Sequence, residues 1–197
     1  MRVLATFAVA LAVALAVALV LAPAALAEVK TSAPDALIIQ NSAEITMTKD
    51  AFWSRLIQPA LWWSGDHTYS HSAANLSLKP VAGGCWCETW MGGAVEHGRV
   101  IAVMPNQLLR LSTALGPLQE LAVSGVLTFQ IADAKTPGKI LVTMTYRVDG
   151  GSASKLDAMA GPVDAVLAEQ FDHLIHPAPT DASKSAVPKG TAPVASH

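Results

Sequence analysis

The apolar residues of this chain repeat with a period of two over a long central stretch and then with a helical period, and this succession limits the available folds. Between residues 85 and 148, apolar and polar residues alternate in runs broken at turns. Such runs are typical of antiparallel strands with one buried face. Between residues 156 and 174, apolar residues recur every three or four positions, as in one long amphipathic helix. The order predicts an α+β domain with an antiparallel meander and a terminal helix.

Alternation and turn residues define the individual strands. The predicted strands span residues 36–48, 74–78, 85–90, 99–104, 108–115, 125–131 and 140–148. A short helix is predicted after the first strand, with Thr48 as its N-cap and Pro59 interrupting it. For the terminal helix, Ser154 is the predicted N-cap, and Gly161-Pro162 is expected to bend it.

The N-terminus has the features of a secretory signal peptide. A cationic start at Arg2 precedes an apolar run, and Ala25-Leu26-Ala27 supplies a small-residue cleavage site before Glu28. We therefore expect cleavage after Ala27 and a periplasmic or secreted protein. The apolar run is also long enough for the alternative, an uncleaved segment that anchors the protein in a membrane.

The rest of the chain divides into one domain and a tail. Residues 28–176 have the length of a single domain with one core. Residues 177–197 are rich in Pro, Ala, Ser and Lys without an apolar period, which predicts a disordered tail. The formal net charge is -2 and no basic cluster is present, so nucleic acid is not an expected partner. After signal cleavage we expect no membrane association either.

Four motifs, taken in order, resemble one known superfamily. They are the aromatic helix and its exit from Phe52-Trp53 to Trp62-Trp63, the strand Gly83-Gly84-Cys85-Trp86-Cys87-Glu88-Thr89-Trp90, the strand and turn Gly98-Arg99-Val100-Ile101-Ala102-Val103-Met104-Pro105, and the helix over 156–174. Together they cover about 140 residues. This order resembles the START-like (SRPBCC, birch-pollen-allergen-like) superfamily, and most closely its branch with the heat-shock ATPase activator C-terminal domain and polyketide cyclase-like proteins.

The resemblance implies a helix-grip fold, in which a curved antiparallel sheet wraps around the C-terminal helix and leaves a cavity between them. It implies a small hydrophobic ligand of lipid, sterol, polyketide or aromatic type. We expect no cofactor. Some members are cyclases or hydrolases, but the superfamily has no single catalytic signature to carry over. Many relatives are cytoplasmic, so the signal peptide is a departure.

The resemblance implies that the aromatic residue of the Gly-Gly-x-aromatic strand faces inward, and strand parity then gives the candidate ligand-binding residues. They are Trp62, Trp86, Glu88, Trp90, Phe129, Met144, Tyr146, Met159, Val163 and Phe171. For the tryptophans at helical spacing, plain core packing is the simpler alternative.

Glu88 is the most unusual residue of this set. If it lies in the cavity between Trp86 and Trp90, desolvation should raise its pKa and suit it to donate a hydrogen bond or a proton. An enzyme of the cyclase or hydrolase style would then use Glu88 as acid or base. The alternative that we favour has Glu88 solvated, or paired with Arg99 or Arg110 across the sheet.

The pair Cys85-x-Cys87 has three interpretations. Buried small hydrophobic residues are the one we favour. A disulfide between residues this close on one strand needs a bulge, although an exported protein would favour oxidation. A metal site could combine these cysteines with Met91, His97 or the pair His67 and His71, because all are soft or borderline ligands. No spacing matches a closed site, and we predict none.

The sequence contains no nucleophile elbow, zinc-protease motif or phosphate loop. This favours a binding protein over an enzyme. A third class is a protein-interaction module like the heat-shock activator domain, which would have a filled core and an exposed apolar patch.

Overall fold

Residues 26–177 form one antiparallel sheet of eight strands and two α-helices in the computed structural model. The strands are β1 (Leu26–Ala33), β2 (Ala36–Ile45), β3 (Leu76–Leu78), β4 (Cys85–Trp90), β5 (Gly93–Met104), β6 (Leu108–Ser112), β7 (Ser124–Asp133) and β8 (Ile140–Asp149). The helices are α1 (Lys49–Leu56) and α2 (Leu156–Ile175). Across the sheet the order is β1-β2-β8-β7-β6-β5-β4-β3. The second strand therefore pairs with the last one.

The sheet is curved, and α2 packs against its β1–β2 end. Register shifts interrupt the pairing of β1 with β2, of β4 with β5 and of β5 with β6. Such bulges bend the strands that carry them. The α+β helix-grip prediction is confirmed, including the short helix α1 before the meander.

The predicted periodicities account for the core. In β7, Leu127, Phe129 and Ile131 are buried while their neighbours are more exposed. In α2, Leu167, Phe171 and other apolar residues of one face are buried. One face of each element therefore supplies the interior, as half-buried strands and an amphipathic helix require.

The largest differences from the predicted strands concern β5 and β1. β5 begins at Gly93, six residues before the predicted start, and β1 was not predicted at all. The last two residues of the predicted signal peptide, Leu26 and Ala27, lie in β1; its other residues, and the tail after Pro177, lie outside the described residues. Neither helix in residues 26–177 combines the length and hydropathy needed to cross a membrane.

The helix caps show one correct and one wrong prediction. Thr48 caps α1, since its hydroxyl accepts a hydrogen bond from the N–H of Ala51 at 3.2 Å. Ser154 does not cap α2; its hydroxyl donates to the carbonyl of Leu121 instead, and Lys155 takes the N-cap position with a left-handed backbone, φ 50°. α2 continues through Pro162 to Ile175.

Candidate functional site

An open cleft of about 450 Å³ lies where the loop of residues 64–75, the 3₁₀ turn Gly116–Leu121 and α2 meet. Its apolar walls are formed by Trp63, Leu115, Pro117, Leu118, Met159, Pro162, Val163, Val166 and Leu167. Its polar groups belong to Asp66, His67, Thr68, Tyr69, His97 and Glu120. The cleft thus offers a mostly apolar surface with a few polar groups.

The cleft borders α2, but most of the predicted ligand-binding residues do not line it. Of the ten predicted ligand-binding residues, Met159 and Val163 line it. Six others are buried in the core: Trp62, Trp86, Phe129, Met144, Tyr146 and Phe171. Trp90 is half-buried and packs on Gly93, where an added Cβ would meet its ring at 2.6 Å.

The interior around Trp86 and Phe129 is filled by aromatic rings. The ring centroids of Trp63 and Trp86 are 4.9 Å apart, and those of Trp62 and Phe129 are 6.0 Å apart, both edge to face. The void that Trp62, Trp86 and Phe129 border measures about 10 Å³. That is room for about one water molecule at most.

Glu88 and His97 form a buried pair beneath the cleft. The ring nitrogen Nε2 of His97 lies 2.9 Å from Oε2 of Glu88. The carboxylate also accepts hydrogen bonds from the backbone N–H groups of Tyr69, at 3.0 Å, and Ser70, at 2.5 Å. Glu88 is fully buried and His97 is 5% exposed. One carboxylate therefore holds both the histidine and the loop that borders the cleft.

These hydrogen bonds decide the ionisation of Glu88. Burial raises the pKa of the carboxyl and is the largest single effect, but the hydrogen bonds from Ser70, Tyr69 and His97 together outweigh it. The pKa of Glu88 is therefore lowered from its ordinary value of 4.5. The predicted rise in this pKa was wrong, because parity identified the buried face but not the three donors.

The favoured alternative for Glu88 was also wrong. Arg99 forms an ion pair with Glu96 on the surface, and the Nε–H of Arg110 donates to the hydroxyl of Thr128 at 3.1 Å. Glu88 is thus neither solvated nor paired with an arginine.

A β-bulge brings His97 to this site. Trp86 pairs with Gly98 but Cys87 pairs with Glu96, so His97 is an extra residue in β5. As a result, His97 and Gly98 are both buried, although they are consecutive in a strand. Gly98 fits this position because a Cβ there would lie 2.9 Å from the Cβ of Thr113. Sequence reasoning considered His97 only as a metal ligand, since regular alternation cannot show a bulge.

The two cysteines form a disulfide across the same bulge. Cys85 and Cys87 are bonded, with their Cα atoms 5.4 Å apart. The favoured interpretation as reduced hydrophobic residues was wrong, and the alternative that required a bulge is correct. Both residues are half-buried.

The candidate metal ligands do not converge. The cysteines are in a disulfide, Nε2 of His67 lies 3.1 Å from a carboxylate oxygen of Glu169, and His71 is exposed. Within residues 26–177, no three His, Cys, Asp or Glu side chains are close enough together to hold a metal ion.

Comparison with known proteins identifies the fold. No protein-family model matches the sequence, and no curated protein matches it either. Among solved structures, protein MLL2253 from Mesorhizobium loti is similar with a TM-score of 0.52 and 18% identity over 76% of this chain and 99% of that one. EF2215 from Enterococcus faecalis, a conserved protein of unknown function, is similar with a TM-score of 0.53 and 10% identity, over 85% of this chain and 82% of its own.

A more distant likeness is to the Aha1 dimer from Colwellia psychrerythraea, with a TM-score of 0.45 and 16% identity over 70% of this chain and 96% of that one. At these identities the comparisons bear on architecture alone. Together with the strand order and the terminal helix, the two structures with TM-scores above 0.5 give this chain the helix-grip fold.

Proposed function

We propose that this protein binds a small apolar molecule in the cleft of about 450 Å³ between the 64–75 loop, the Gly116–Leu121 turn and α2. The observation that supports this most is an open, mostly apolar cleft in a protein whose core is otherwise filled. Its volume falls in the range of about 300–1,000 Å³ that small-molecule sites occupy. Each Å² of apolar ligand surface withdrawn from water contributes about 25 cal/mol.

The class of ligand follows from the lining. Met159 and Val163 remain predicted contacts, and Leu115, Leu118 and Val166 join them. An aromatic or polyketide-like molecule, a sterol or a lipid chain would fit such walls, which agrees with the START-like resemblance of the sequence.

A fluorescent probe tests the binding site. We expect N-phenyl-1-naphthylamine to gain fluorescence on titration with the protein and to quench Trp63, which lines the cleft. Val166→Trp should fill the cleft and weaken binding at least about tenfold, since bulk replaces the guest. Val81→Trp is the matched control, because Val81 is 47% exposed and away from the cleft. Equal binding by both variants would rule out this cleft.

An enzyme that uses Glu88 as acid or base is the second candidate. It has less support, because Glu88 is not among the residues that line the cleft and three donors hold its carboxylate. A protein-interaction module is the third; its expected filled core is present, but the open cleft favours a small guest.

We also propose that the protein is exported after cleavage behind Ala27. The disulfide between Cys85 and Cys87 supports this, because disulfides persist in oxidising compartments. Mass spectrometry of the protein from a secretion-competent host should find Glu28 as the N-terminal residue. An intact N-terminus in the membrane fraction would favour the anchored alternative.

A further inference from the structure

His97 presents one ring nitrogen to Glu88 and leaves the other to the cleft. Nε2 lies 2.9 Å from the Glu88 carboxylate, and the ring borders the cleft. Nδ1 has no hydrogen-bond partner among residues 26–177, yet it is not among the buried polar atoms sealed from solvent. Because Glu88 engages Nε2, Nδ1 is the ring nitrogen left for a guest in the cleft.

The carboxylate fixes which nitrogen of a neutral His97 carries the hydrogen. An ionised Glu88 has no hydrogen to donate, so the hydrogen between the two side chains belongs to Nε2 of His97. In a neutral imidazole with Nε2 protonated, Nδ1 carries a lone pair and accepts a hydrogen bond. The N–H groups of Tyr69 and Ser70 hold the carboxylate in place, so the imidazole is oriented before a guest arrives.

The rest of the cleft favours a neutral donor over an anion. Asp66 and Glu120 line the cleft, and among its lining residues there is no Lys or Arg. A carboxylate guest would meet like charges there without a permanent cation to offset them. An uncharged hydroxyl group avoids this cost and supplies the hydrogen that Nδ1 needs.

We propose, on the basis of the binding function inferred above, that the cleft selects apolar molecules carrying a phenolic or alcoholic hydroxyl group, which donates its hydrogen to Nδ1 of His97. His97 is thus the specificity-determining residue, and Glu88 is a positioning residue that sets its tautomer. The ring of Tyr69, whose centroid lies 5.9 Å from that of His97, borders the same corner of the cleft.

A matched set of naphthalenes tests this assignment by calorimetric titration. 2-Naphthol carries the hydroxyl donor, 2-methoxynaphthalene keeps the oxygen without the hydrogen, and 2-naphthoate carries an anion. We expect the wild-type protein to bind 2-naphthol about tenfold more tightly than 2-methoxynaphthalene, the effect of one buried hydrogen bond. 2-Naphthoate should bind more weakly than 2-naphthol.

Two variants separate the role of Nδ1 from the role of His97 in folding. His97→Gln keeps an N–H that can reach Glu88, but its acceptor Oε1 sits on a flexible side chain instead of a fixed ring, and His97→Phe keeps the ring without any acceptor. Both should lose the preference for 2-naphthol while binding 2-methoxynaphthalene within about twofold of wild type. A preference retained in both variants would overturn the assignment to His97.

A measurement on the wild-type protein needs no variant. Nitrogen-15 NMR of the imidazole should show Nε2 protonated, and the Nδ1 resonance should move with 2-naphthol but not with 2-methoxynaphthalene. Equal affinity for these two compounds, an unmoved Nδ1 resonance or a preference for 2-naphthoate would overturn the selectivity and leave apolar binding intact. If wild type binds none of the three compounds, and N-phenyl-1-naphthylamine does not bind either, the proposed binding function itself fails.

Discussion

At the scale of single residues, two buried polar side chains hold the segments around the cleft through hydrogen bonds. The Glu88 carboxylate gathers His97 and the 64–75 loop, and the Tyr146 hydroxyl accepts from the N–H of Leu115 at 3.0 Å and donates to the carbonyl of Thr113 at 3.3 Å. The 64–75 loop and the segment from Thr113 to Leu115 therefore each depend on a polar group inside an apolar core. Such groups stabilise only while every partner is present.

Replacing Glu88 tests the first of these groups through pH. The lowered pKa means that the folded state binds a proton less readily than the unfolded chain, so Glu88 stabilises the fold above about pH 4.5, and this stabilisation is lost as pH falls through the folded-state pKa. Glu88→Gln should lower the free energy of unfolding at pH 7 by about 1–3 kcal/mol, because its amide NH₂ faces a donor. Urea titrations at pH 7 and pH 3.5 should show a smaller difference for the variant than for wild type. Glu120→Gln, at an exposed position, is the control; equal pH dependence of all three proteins would contradict the lowered pKa.

Replacing Tyr146 tests the second group at alkaline pH, where we expect the opposite pH dependence. Burial raises its pKa to about 12, which the hydrogen bond from Leu115 only partly opposes. A raised pKa stabilises the fold fully below pH 10, and this contribution is lost as pH rises toward 12. Tyr146→Phe should lose about 1–3 kcal/mol at pH 8, since two backbone groups lose their partner, and its stability should fall less between pH 10 and 12. Tyr69→Phe, at a 47% exposed site, should behave like wild type in urea titrations; no difference between the two variants would refute the role of the buried hydroxyl.

At the scale of elements, regular periodicity was predictable and interruptions were not. Alternation identified the meander, and the apolar stripe identified α2, because burial of one face leaves a repeating pattern in the sequence. The bulge at His97 breaks that pattern, so the partner of Glu88 was missed. The cap of α2 was missed because Lys155 adopts a left-handed conformation that its residue type does not predict.

The end of α2 depends on a residue from another element. Arg55 of α1 is buried, and its guanidinium donates to the carbonyls of Leu174 at 3.1 Å and of His173 and Leu61 at 2.9 Å. These donors satisfy carbonyls that the helix cannot pair itself. Arg55 therefore joins α1 to the C-terminus of α2.

Arg55→Met should lower the free energy of unfolding by about 2–4 kcal/mol, because several buried carbonyls lose a charged donor while the apolar volume is roughly kept. Arg99→Met is the matched control, since Arg99 is exposed and its surface ion pair contributes about 0–1 kcal/mol. Urea denaturation with a common slope measures both variants. Similar losses for the two arginines would show that Arg55 does not act as the cap of α2.

At the scale of the whole molecule, the aromatic residues that suggested a central cavity fill it instead. The sequence shows how many large rings face inward, but not the volume left between them once the sheet bends. Trp62, Trp86 and Phe129 close the interior to a void of about 10 Å³, and the open space moves to the edge where β5, the Gly116–Leu121 turn and α2 meet. The fold class was therefore predictable, whereas the position of the site was not.

The position of the cleft predicts which segments a bound guest protects from hydrogen exchange. Hydrogen exchange with saturating N-phenyl-1-naphthylamine should slow in the 64–75 loop, in the Gly116–Leu121 turn and in the first half of α2, because a guest bridges these segments and stabilises their closed state. Exchange in β1 and β2, which do not border the cleft, should be unchanged. Val166→Trp should abolish the protection, and Val81→Trp should retain it. Protection centred on β7 and β8 would instead mean that the core opens to admit the guest, as the cavity first predicted from the sequence requires.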